Sequence, residues 1–515
     1  MISRRIGKGI VQSTVILTTA GLISRLLGFG YRIYMSNILG PEGMGMFQLI
    51  MPIYGLAWSI SCSGLTTSVS KLVAAEKARA QHGNMGRILK QALAISTILG
   101  LLLSVILFMF SSNIATRMFG DDRLSMSLKI LSLSFPFMAA GSCLRGYFMG
   151  LQETIIPAIS QVFEQCVRMA IIFLLSSSMM HMGLAYATAA AMLGIFAGEL
   201  LSFLFVIASY KGYKSKWKYF KRPTLSSRDS FFMLGAMALP LTLNRISGSL
   251  LSAFENLMLP RRLMVYGMTN SEALSEFGKL TGMAMPLVQF LSALLVSLSI
   301  SLVPAVSEAM TMNNFSRISN TVSKVMLFTT ITGIGSAGVF IMLANELGEI
   351  IYSQNIAHIL ILLGLMCPFM YMQTTLSGIL NGLGEQVFIF RNALISSAIS
   401  IAFIMLVVPQ MGLNGYILGS FIGLVIICAL SLNKIRIATH IEVNVLDWFV
   451  KPILSAVLTV LVIRMIKGAM LGAFGNVFGL MTILAFTGLM YMALIVATGC
   501  FSREDMRAVV GRRLG

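Results

Sequence analysis

Residues 136–153 read Pro136-Phe-Met-Ala-Ala-Gly-Ser-Cys-Leu-Arg145-Gly-Tyr-Phe-Met-Gly-Leu-Gln-Glu153, and residues 368–385 read Pro368-Phe-Met-Tyr-Met-Gln-Thr-Thr-Leu-Ser377-Gly-Ile-Leu-Asn-Gly-Leu-Gly-Glu385. At a fixed offset of 232, eight of the eighteen positions agree, where composition alone yields roughly one or two. Two weaker echoes flank this match. Asn84, Arg87 and Ile88 recur as Asn314, Arg317 and Ile318 at an offset of 230, and Met51-Pro52 recurs as Met285-Pro286 at 234. A register that drifts by so little over such a length reads as an internal duplication.

The material being duplicated is membrane helix. The chain has 515 residues, of which 57% are hydrophobic and only 11% charged. That is too little charge to cover the surface of a soluble protein of this size. A helical span needs roughly 20 apolar residues. Apolar runs between charged or turn-rich breaks give fourteen spans. They lie near 10–37, 44–70, 88–111, 127–149, 154–178, 183–209, 231–259, 278–304, 322–344, 356–380, 386–408, 412–433, 449–466 and 473–500. No alternating ten-residue pattern of the barrel kind is present.

An even span count puts both termini on one side. With that side taken as the cytoplasm, 24 loop Lys and Arg residues fall there and 6 fall outside. Basic loops stay cytoplasmic, so this asymmetry supports the orientation and the count together. It also accounts for the formal net charge of +19 without nucleic acid. The basic N-terminus resembles a signal peptide, but no small-residue cleavage site follows, and it reads as an uncleaved first span.

The duplication pairs span 4 with span 10 and span 2 with span 8. Each pair is six spans apart, an even shift, so the repeats have the same topology and are parallel. The expected fold class is an all-α polytopic membrane protein with about fourteen transmembrane helices in two six-helix lobes. The lobes are 1–210 and 231–436, joined by a basic cytoplasmic linker at 211–230, with spans 13–14 and a basic tail at 437–515. Substrate sites in such proteins lie between the repeats near mid-membrane.

Charge inside the spans then marks where chemistry sits. A charge near the bilayer centre costs about 2.5–3.5 kcal/mol on insertion scales. The first span carries Arg25 and Arg32, seven residues apart and hence on one helix face, with no acid of its own. Span 7 carries Arg245 and Glu255. One glutamate does not neutralise three arginines, so Arg25, Arg32 and Arg245 are the candidates for a cationic cavity, with Glu255 as a coupling or charge-pairing group. Guanidinium forks suit phosphate or pyrophosphate. The alternative for the arginines is snorkelling to headgroups. In spans 4 and 5, Arg145, Glu164 and Arg168 read as a neutralised network that glues helices, or as a substrate or proton site. Glu164 and Arg168 are spaced to pair along one helix.

Other chemistry has no signature. There is no Walker loop, metalloprotease motif, nucleophile elbow or potassium-filter sequence. The four histidines are scattered, and the six cysteines show neither zinc nor disulfide spacing. No enzyme activity, cofactor or metal is expected.

Four motifs carry a family likeness: Ser24-Arg25-Leu-Leu-Gly28-Phe-Gly-Tyr-Arg32, Leu144-Arg145-Gly146-Tyr-Phe-Met-Gly150-Leu-Gln152, Ser160-Gln-Val-Phe-Glu164-Gln-Cys-Val-Arg168 and Ser301-Leu-Val-Pro304-Ala-Val-Ser-Glu308. With them the chain resembles the polysaccharide- and lipid-exporter branch of the multidrug/oligosaccharidyl-lipid/polysaccharide (MOP) flippase superfamily, near the stage V sporulation protein B group. The resemblance implies a flippase of the bacterial plasma membrane that exports an undecaprenyl-pyrophosphate-linked saccharide, such as lipid II, for spore-cortex or cell-wall peptidoglycan. It implies a V-shaped cavity lined by spans 1, 2, 7 and 8, and possible cell-wall synthesis proteins as partners. The second span, 44–70, contains no arginine, where lipid II flippases of the virulence-factor type place one. Two rival readings are a cation-coupled multidrug exporter of the same superfamily and a non-transporting cell-wall scaffold.

Overall fold

The computed structural model describes residues 2–216, 223–312, 314–439, 441 and 444–500. The basic stretch Lys218–Arg222 of the expected linker and the tail Arg503–Arg513 lie outside the described residues. Among those described there are helices, turns and no strand. By contacts the chain divides at Gly278/Lys279 into two compact units.

The first unit holds α1 (Ile2–Trp58), α2 (Gly64–Ala78), α3 (His82–Asn113), α4 (Leu124–Ser132), α5 (Phe135–Gly150), α6 (Ile155–Met180), α7 (Leu184–Lys216), α8 (Ser227–Val265) and α9 (Asn270–Gly278). The second holds α10 (Met285–Thr311), α11 (Phe315–Met342), α12 (Ala344–Tyr352), α13 (Ala357–Gly382), α14 (Gln386–Leu406), α15 (Val408–Met411), α16 (Leu413–Thr439), α17 (Lys451–Phe474) and α18 (Asn476–Ala497).

Among the described residues, twelve helical stretches are long and apolar enough to cross a membrane. One of them, Thr19–Ala78, is 60 residues long, about 90 Å at helical rise, or three bilayer cores. It is broken at Gly40, whose φ of 66° and ψ of −177° only glycine adopts freely, with Pro41 next. That break separates spans 1 and 2. The 39-residue α8 carries Arg245 and Glu255 and is less apolar than the twelve. Counting the broken stretch twice and adding α8 recovers the fourteen expected spans.

The outer faces are apolar because lipid, not water, solvates them. On α17, Leu454, Leu458, Leu461 and Met465 are all exposed. In a soluble protein such a stripe is an aggregation hazard.

The duplication appears as the same backbone contacts made twice. A Cβ on Gly146 or Gly150 of α5 meets the Thr66 or Ser70 carbonyl oxygen of α2 at 2.6 Å. Gly378 and Gly382 of α13 meet the Ser299 and Val303 carbonyl oxygens of α10 at 2.8 and 3.1 Å. Gly100 of α3 lies against Pro136, and Gly333 of α11 against Pro368. The helices end alike as well. Glu153 N–H donates to Phe148 O at 3.0 Å and Glu385 N–H to Leu380 O at 2.9 Å. The turn residue before each acid is left-handed, at Gln152 (φ 63°) and Gly384 (φ 80°). Shared glycines therefore encode shared helix–helix approach.

Two polar clusters tie the ends of the first unit. Asn84 on α3 holds the chain ahead of α8: its Oδ1 accepts from Thr224 N–H at 2.9 Å and Leu225 N–H at 3.0 Å. Its Nδ2 donates to the buried Glu76 at 2.7 Å. At the other end, Arg123 donates to Asp121 at 2.7 Å and to Glu42 at 2.8 Å, while Asn270 donates to Asp121 at 3.2 Å. That second cluster links the segment after the Gly40 break, the α3–α4 turn and the start of α9.

Candidate substrate site

The first half of α1 buries Ser24, Tyr31, Met35 and Leu39, spaced as one stripe. Arg25 and Arg32 lie at the edge of that stripe by helical rotation. Arg25 is exposed and makes no ion pair or hydrogen bond among the described residues. Arg32 is half-buried beside Tyr31 and is engaged with a neighbour. On α8, which packs against α1, Arg245 is exposed and Glu255 is half-buried and engaged. All four expected cavity residues therefore stand on two neighbouring helices of one unit.

A second charged group lies deeper. Arg168 Nη2 and Glu164 Oε1 pair at 2.8 Å along α6, and Arg145 Nη1 on α5 approaches Glu164 Oε2 at 3.7 Å. Arg145 also donates to Ser202 Oγ of α7 at 3.3 Å, and Ser202 donates to Ser160 O at 3.3 Å. Sequence spacing indicated the Glu164–Arg168 pair. It did not indicate Glu199 on α7, which is 3% exposed and accepts a hydrogen bond from Tyr54 of α1. The visible signal was a lone acid in an apolar helix; its partner is 145 residues away in sequence.

The second unit provides a built-in comparison. At the offset of 232, Arg145, Glu164 and Arg168 correspond to Ser377, Ser396 and Ser400. The Ser160–Ser202 contact recurs as Asn392–Ser431, which sets α7 against α16 at an offset of 229 and Glu199 against Cys428. The same helix packing thus forms with none of these four charges. Removing one partner of a buried ion pair costs about 3 kcal/mol, whereas replacing a whole group is often neutral. Arg168→Ala is accordingly expected to lower the melting temperature in detergent. The combined change Arg145→Ser, Glu164→Ser, Arg168→Ser and Glu199→Cys is expected to lower it less. A combined variant that unfolds first contradicts the comparison.

A broken, arginine-bearing first helix, duplicated glycine-packed repeats and charge held inside helical spans define a multi-span membrane transporter fold. The family described as polysaccharide biosynthesis protein matches residues 10–310. Stage V sporulation protein B of Bacillus subtilis (strain 168) is 31% identical over 445 residues, covering 85% of this chain and 86% of that protein. The chain therefore belongs to the polysaccharide biosynthesis protein family. Lipid II flippase MurJ of the same organism is 24% identical over 443 residues, covering 80% of each chain. A solved structure of lipid II flippase MurJ, in an inward closed conformation, superposes with a TM-score of 0.71 at 16% identity, covering 93% of this chain and 98% of that one.

Proposed function

We propose that the protein is a flippase that moves an anionic, lipid-linked saccharide of the undecaprenyl-pyrophosphate class across the bacterial plasma membrane. The observation that carries this reading is Arg25: a cation inside a span, exposed, with no ion pair among the described residues. The relative named as a lipid II flippase supports the substrate class, and the relative named for stage V sporulation supports a role in spore-cortex or cell-wall synthesis.

In this mechanism the substrate site lies on spans 1 and 7 of the first unit, and access to it alternates between the two sides of the membrane. Arg25, Arg32 and Arg245 hold the pyrophosphate while the polyprenyl tail stays in lipid. Opening to the outside then releases the headgroup. With both termini cytoplasmic, outward movement of negative charge is favoured by about 2.3 kcal/mol per charge per 100 mV. In this reading Glu255, on the same helix as Arg245, trims the local charge. A pump for cationic drugs needs uncompensated acid, whereas Glu164 stands between two arginines.

The test is purified protein in vesicles with a fluorescent undecaprenyl-pyrophosphate saccharide. Transfer between leaflets is expected. Drug-dependent proton flux without transfer selects the multidrug reading, and neither activity selects the scaffold.

A further inference from the structure

We propose that Glu199 is an exchangeable proton-binding site of the first unit, and that it takes up a proton when an anion is held at the arginines of the first span. The second half rests on the function proposed above; the first does not.

Glu199 has one oxygen bonded by Tyr54 and one, Oε2, buried without any partner. A carboxylate oxygen left unsolvated is costly, and a neutral carboxylic acid relieves that cost. The charges around it act in both directions. The ionisable groups facing Glu199 are Tyr54 on α1, the buried Cys62 just after it, Arg145 on α5, and Glu164 and Arg168 on α6. Lys129 of α4 is exposed. With Glu199 ionised, two arginines balance two glutamates. With Glu199 protonated, one positive charge is left over.

That balance is linked to the first span. Tyr31, buried between the positions of Arg25 and Arg32, lies within electrostatic reach of both Arg32 and Arg168. Direct contacts join Arg168, Glu164 and Arg145, and Tyr54 to Glu199, while Arg32 and Tyr31 act on this group through charge at short range and not through a hydrogen bond of the Tyr31 hydroxyl. An anion at Arg32 adds negative charge to one end, and a proton at the other end offsets it. By linkage, each then favours the other.

The second unit argues that this group is not scaffolding. It packs the same helices with Ser377, Ser396, Ser400 and Cys428, and Val288 stands where the first unit has Tyr54. Both members of the Tyr54–Glu199 contact are missing from the copy that folds without them.

The experiment is infrared spectroscopy of the full-length protein in nanodiscs across a pH series, with and without inorganic pyrophosphate. A protonated-carboxyl band that disappears at high pH is expected in the wild type. It should be absent from Glu199→Gln and present in Glu255→Gln, and pyrophosphate should enlarge it at fixed pH. Tyr54→Phe should shift its frequency, because the phenol bonds that carboxyl group. A band unchanged in Glu199→Gln overturns the site. If that variant does not fold, an unmoved band in Tyr54→Phe overturns it instead. Pyrophosphate that binds by calorimetry without enlarging the band overturns the linkage. Pyrophosphate that does not bind overturns the linkage together with the anion-cavity reading, and the pH series still decides Glu199.

Discussion

Gly45→Ala is expected to destabilise the protein strongly, by about 3 kcal/mol, at the upper end of what overpacking costs. A Cβ on Gly45 falls 1.9 Å from the Leu274 carbonyl oxygen, and one on Gly278 falls 2.0 Å from the Pro41 carbonyl oxygen. These are backbone atoms, so no side-chain rotation relieves the clash and α1 must part from α9. Polar ties that bridge the same region, from Glu42 through Arg123 and Asp121 to Asn270, should then be strained or broken. The control is Gly55→Ala on the same helix, where an added Cβ meets nothing within 4 Å. There alanine should be neutral or stabilising by up to about 1 kcal/mol, from helix propensity alone. Thermal unfolding in detergent separates the two. Equal melting of Gly45→Ala and wild type contradicts the close approach.

Arg25→Ala is expected to cut transfer of the lipid-linked saccharide at least tenfold while leaving stability unchanged. A hydrogen bond to a charged group contributes about 1.5–3 kcal/mol, and 1.4 kcal/mol corresponds to a factor of ten. Stability should hold because Arg25 is exposed and unpaired among the described residues. Removing it strands no buried carboxylate, in contrast to Arg168, which is bonded to Glu164. Arg25→Lys should recover only part of the activity, since a lysine keeps the charge without the planar fork that grips a pyrophosphate. Vesicle transfer assays with melting curves on the same preparations check both halves. A well-folded Arg25→Ala protein with normal transfer removes the cationic-cavity mechanism.

Sequence alone determined the class, the duplication and the location of embedded charge. These follow from short-range facts: apolar runs of bilayer length, basic loops on one side, and glycines at matched positions where two backbones must nearly touch. Arg25 and Arg32 on one face, and Glu164 one turn from Arg168, needed only helical geometry. Tertiary structure decided which charges have partners. Tyr54 reaches Glu199 across 145 residues, and Asp121 meets Asn270 across 149. No local period encodes such contacts; they exist only once the helices pack. Packing also supplied the neighbours of the two groups of arginine that the sequence had set apart. Arg145 and Arg168 are held by Glu164, while Arg25 stays exposed at the edge of its helix's buried stripe. The physical reason is that sequence reveals the cost of placing a charge in a membrane, whereas only the fold reveals which neighbour offsets it.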